Sequence, residues 1–96
     1  MSRLSFVASV LEAGGVAKPR ADVATLVAFV ARRHGIEPAH IYGRSHRPEY
    51  AHPRQEVMFL ADKAGHSQAA IGRALDRDHT TIIHGIRAHK SREGLK

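Results

Sequence analysis

Arg77, Asp78, His79, Thr80, Thr81, Ile82, Ile83 and His84 follow one another near the C-terminus, setting hydrogen-bonding side chains beside an apolar stripe. Asp78 suits a helix N-cap. Its carboxylate can accept from the free N–H groups of the first turn, and its charge favours the positive end of the helix dipole. At about 100° per residue, Ile82, Ile83 and Ile86 share one face, while Thr80, Thr81, His84, Arg87 and Ala88 point the other way. Hydroxyls, an imidazole and a guanidinium are suited to base edges and phosphates, and a threonine methyl can touch a thymine methyl. The chemistry on offer is recognition of duplex DNA from the major groove. His79 falls on the apolar side by the same arithmetic and reaches a groove only because it belongs to the first turn.

Such a helix needs a partner to hold it at an angle to the duplex. Ser67 can cap a shorter helix running through Ile71 and Leu75, Asp76-Arg77 forms a tight turn, and the reading helix then runs from Asp78 to about His89. Two helices joined by so short a turn, the second with a polar outer face, have the organisation of a helix-turn-helix. Gly72 would let the two approach closely, and the tail from Ser91 to Lys96 is expected to fray.

Upstream, Pro53 suits a first helical position, and Val57, Met58, Leu60 and Ala61 continue a helix that Gly65 can end. Asp22 caps the pattern Val23, Leu26, Val27 and Val30, closed by Arg32, Arg33, His34 and Gly35. The terminal arginines serve either the helix dipole or a phosphate. A short helical turn begins at Pro38, and a basic loop from Gly43 to Pro48 follows. Leu4, Val7 and Leu11 recur at helical spacing until Gly14-Gly15. That opening helix is either a lid on the core or a dimer contact, so the chain is expected as a monomer or as a dimer through it.

Ninety-six residues suit one small domain, divided here into a helix and connector (1–21), a DNA-binding unit (22–92) and a tail (93–96). With few aromatic residues, the core should be made of Val, Ile, Leu and Ala. The absence of cysteine excludes a disulfide framework and thiolate metal sites. Fifteen Lys and Arg against nine Asp and Glu give a net charge of +6, which attracts polyanions. The basic residues cluster at Arg44, Arg47 and Arg54, and again at Arg87, Lys90, Arg92 and Lys96. No segment has the length of a membrane span or the aromatic-rich apolar face of a surface-bound helix. The expected setting is cytoplasmic and nucleoid-associated.

The stretch DHTTIIHGIR resembles the signature of the C-terminal DNA-binding domain of DnaA, the bacterial replication initiator. The resemblance extends through Pro53-Arg54-Gln55 and Ile71-Gly72-Arg73-Ala74-Leu75, from about Asp22 to Arg92. It implies an all-α, compact helical domain containing a helix-turn-helix, of the Trp-repressor-like kind, that reads a major groove while a basic loop enters the neighbouring minor groove. Position by position it implies DNA contacts at Arg54, Gln55, Asp78, His79, Thr80, Thr81 and His84. The chain departs from the family in three places. The turn is one residue shorter, with Asp76 where glycine is usual; Ala88 stands where lysine is frequent; and His46 or Arg47 takes the place of the minor-groove arginine.

Together these readings give a division of labour. Gln55, His79, Thr80, Thr81 and His84 face the major groove; Arg54, Arg77, Asp78, Arg87 and Lys90 lie along the phosphate backbone; His46 and Arg47 reach the minor groove. No metal or cofactor is expected, since His79, His84 and His89 are spaced by five rather than four. No nucleophile triad and no GxxxxGK[ST] loop is present, so the chain is not expected to be an enzyme. The expected function is that of a stand-alone, sequence-specific transcription regulator of prophage or gene-transfer-agent type, with RNA polymerase or a sigma-like protein as a further partner. The alternatives are a replication modulator that competes with or recruits the initiator, and a protein-interaction adaptor.

Overall fold

The computed structural model describes residues 21–95, and within them the chain forms five α-helices and no strand. Helix α1 spans Val23–His34. Asp22 accepts from the Thr25 amide at 2.8 Å, and Gly35 ends the helix in the left-handed region at φ 69°. Its inner face is Val23, Leu26, Val27 and Val30, as the periodicity predicts, with Ala31 added. Helix α2, Pro38–Tyr42, starts on its proline; a reciprocal cap links Glu37 and His40, and Ile41 is buried.

Helix α3 runs Pro48–Lys63, five residues earlier than the sequence suggests. Both Pro48 and Pro53 could open a helix, because a proline at the first position loses only an amide that has no partner anyway. The chain uses Pro48, and Pro53 lies inside the helix, buried. Its missing N–H leaves the Glu49 carbonyl without a helical partner.

Helices α4, Gln68–Leu75, and α5, His79–Glu93, follow, capped by Ser67 and Asp78. Helix α5 outlasts the predicted end at His89. Gly94 closes it at φ 72°, and the Leu95 amide donates back to the Lys90 carbonyl at 2.7 Å. The expected fraying from Ser91 onward is therefore replaced by helix as far as Glu93.

Helix α3 is the hub, packed against the other four, with its broadest contact to α5. The buried apolar residues are Val, Ile, Leu and Ala with Met58 added. Where α3 meets α5, Gly85 leaves room for Met58: a Cβ there would collide with the Met58 sulfur. Arg32, Arg33 and His34 lie in the last turn of α1, where the helix dipole favours them, and Arg33 and His34 also pair with Glu56 of α3. The opening helix expected ahead of Gly14-Gly15 lies outside the described residues.

Candidate nucleic-acid interface

The turn between α4 and α5 is built from Asp76 and Arg77. Asp76 adopts the left-handed conformation at φ 56°, ψ 52°, and is the one non-glycine residue to do so among those described. Aspartate tolerates that region better than most residues. The Arg77 amide donates to the Gly72 carbonyl at 2.8 Å. A Cβ on Gly72 would stand 2.5 Å from the Arg77 carbonyl oxygen, so glycine is what lets the turn close on α4.

Asp78 then starts α5 by accepting from the Thr81 amide at 3.0 Å. That bond first, with a lesser contribution from the Thr80 amide, holds its carboxyl below the usual carboxylate range. Grouped with the phosphate contacts on sequence grounds, Asp78 is an ionised carboxylate that would repel a phosphate, and its geometry is that of a cap.

The inner face of α5 is Ile82, Gly85, Ile86 and His89; Ile83 is only half-buried, at the edge of the stripe. Thr80, Thr81, His84 and Arg87 are exposed. His79 is exposed too, although helical spacing puts it with the apolar residues. The packed stripe begins only at Ile82, and His79 instead borders a shallow hollow shared with Ala69, Gly72 and Asp76.

Beside α5 runs a cleft of about 510 Å³, lined by Thr81, His84 and Ala88, by Gln55 of α3 and by Arg44 and His46 of the basic loop. One depression thus joins residues predicted for the major groove to one predicted for the minor groove. Gln55 is oriented within it, its Oε1 accepting from Arg92 at 2.9 Å. Arg47 is exposed at the loop's outer end, while Lys90 is half-buried on α5.

Two residues predicted on phosphates are placed differently. Arg54 is 6% exposed; its Nε donates to the Ile41 carbonyl at 2.6 Å, Nη2 to His40 at 2.9 Å and Nη1 to Ser45 at 3.0 Å. Burial, with Arg77 and Arg44 nearby, lowers its pKa to about 10, so it remains charged at neutral pH. Half-buried Arg77 donates to the carbonyls of Leu75 at 2.7 Å, of Tyr42 at 3.4 Å and of Gly43. Sequence reasoning missed these contacts, because their acceptors are backbone carbonyls and leave no mark on residue type. It also missed the Arg44–Asp76 pair at 2.6 Å, which ties the loop to the helix-turn-helix turn. Among the described residues, no three His, Asp or Glu side chains are placed to hold a metal ion, and no helix is long and apolar enough to cross a membrane.

The family model for the bacterial dnaA protein helix-turn-helix matches residues 23–88. The chain is similar to the chromosomal replication initiator protein DnaA 1 of Chlamydia muridarum, 44% identical over 64 residues, and to that of Chlamydia trachomatis, 42% identical over the same length. Both matches cover 66% of this chain but only 14% of the relative. The Chlamydia pneumoniae DnaA 1 is 39% identical over 79 residues, 81% of this chain and 17% of its own. No solved structure matches the chain.

Proposed function

Because the chain belongs to the bacterial dnaA helix-turn-helix family, we propose that it binds double-stranded DNA sequence-specifically, with α5 in the major groove. The observation that carries this reading is the single cleft in which Thr81 and His84 of α5 meet Gln55 and the loop residue His46. In the proposal Thr80, Thr81 and His84 read base edges, with His79 and Gln55 beside them, and His46 and Arg47 enter the minor groove. Arg87 and Lys90 neutralise phosphates. The bases set specificity and the phosphates set register. The role is that of a binding module, not a catalyst.

Within that reading the chain is a transcription regulator. Its relatives carry the name of replication initiators, which favours a second reading, a modulator of replication acting at the initiator's sites. Selection of bound duplexes from a random pool tests the DNA reading, which predicts recovery of one short motif and is refuted by recovery of none. Genome-wide occupancy separates the two roles: promoters for the regulator, the origin alone for the modulator.

A further inference from the structure

We propose that Arg54 and Arg77 are positioning residues, whose guanidiniums fix the basic loop against the first turn of α5 and so set the distance between the loop's subsite and the helix's subsite on DNA. The proposal rests on the DNA-binding reading above. Residues 43–47 lie outside the helices, and Arg47, as the N-cap of α3, shares in its helical hydrogen bonds. Two of the loop's carbonyls turn inward, Ser45 accepting from Arg54 and Gly43 from Arg77, and the same guanidiniums hold the end of α2 through the carbonyls of His40, Ile41 and Tyr42; the Arg47 amide adds a bond to Ser45 Oγ at 3.2 Å. A guanidinium presents five donors in a rigid planar fork, which suits several acceptors at once. Arg77 also holds the Leu75 carbonyl at the end of α4, so one side chain clasps the loop and the helix-turn-helix together.

The exposed Arg44–Asp76 pair spans the same gap from outside, but a solvated pair contributes little. Arg44, His46 and Arg47 stay exposed, the first two lining the cleft beside α5. A guanidinium spent on buried carbonyls is not free to clamp a phosphate. The loop is therefore delivered at one offset from α5, and a duplex must present its two subsites at that spacing.

The test is a double-mutant cycle. Arg54→Lys keeps the charge but loses the fork, so it should weaken binding to the preferred duplex about tenfold, with the lost base preference confined to the loop's end of the site. In a His46→Ala/Arg47→Ala background the same substitution should cost less than about twofold, because the loop no longer has side chains to place. Equal losses in both backgrounds, no loss at all, or a uniform loss over every base position would overturn the proposal.

Amide exchange supplies a readout without DNA: the Arg47 amide, which donates to Ser45 Oγ at 3.2 Å, should exchange about tenfold faster in Arg54→Lys while the centre of α1 is unchanged. Unchanged loop exchange would also overturn it. If Arg54→Lys does not fold, Arg77→Lys carries the same cycle at a half-buried position. Failure of the unsubstituted chain to bind any duplex would instead remove the parent reading, leaving the exchange experiment to decide the loop's anchoring.

Discussion

Thr81 and His84 line the cleft from α5, while Lys90 sits further along the same helix, half-buried and clear of that lining. Their substitutions should therefore fail in different ways. Thr81→Ala or His84→Ala should cost about 1 to 3 kcal/mol on the preferred duplex and relax base preference at one position. Lys90→Ala should weaken all sequences alike and reduce the slope of log K against log salt by about one. A fluorescence titration over several salt concentrations, on preferred and scrambled duplexes, distinguishes the two. Much of this was legible in the sequence, since the spacing of Thr80, Thr81, His84 and Arg87 alone puts them outside the apolar stripe. Arg54 was not: as a residue type it signals phosphate, and only the fold reveals the carbonyls around it.

At the scale of the helices, caps were the clearest signals. Asp22, Ser67 and Asp78 each accept from the amide three residues on, as their types and positions predict. The start of α3 was read at Pro53, five residues late, because Pro48 meets the same condition for a first helical position and is the one the chain uses. Gly72 allows a sharper prediction. Alanine in place of glycine inside a helix normally gains up to about 1 kcal/mol, but here the added methyl would meet backbone, the Arg77 carbonyl oxygen, 2.5 Å away. Overpacking that cannot relax costs about 1 to 3 kcal/mol, so Gly72→Ala should be net destabilising and should weaken DNA binding by shifting the turn. Urea unfolding gives the sign directly, and a higher midpoint would count against the tight turn.

The molecule as a whole should lose stability in mild acid. His89 is buried beside Phe59, with its Nδ1 unpartnered. Burial lowers its pKa; Arg92 and Arg33 act in the same direction, and Glu93 opposes them. His34 is lowered as well, first by burial and then by Arg33. A histidine whose folded pKa is depressed binds protons more readily when unfolded. Its contribution is fully present above the unfolded value of about 6.5 and declines as pH falls through the folded one. Melting temperature should thus decrease from pH 7.5 to 5.5, and His89→Leu should flatten that profile. A further loss at lower pH should come from Asp22 and Asp78, both held below the ordinary carboxylate value. An invariant melting temperature between pH 7.5 and 5.5 would contradict the first part.

Pro53 bears on how the longest helix holds the basic loop. With one rung missing from its ladder at the Glu49 carbonyl, the opening of α3 after the basic loop is less completely bonded than its stretch in the core. That gap ends one residue before Arg54, so the guanidinium that holds the basic loop projects from the fully bonded stretch of the helix, and the loop's offset is set from the core outward.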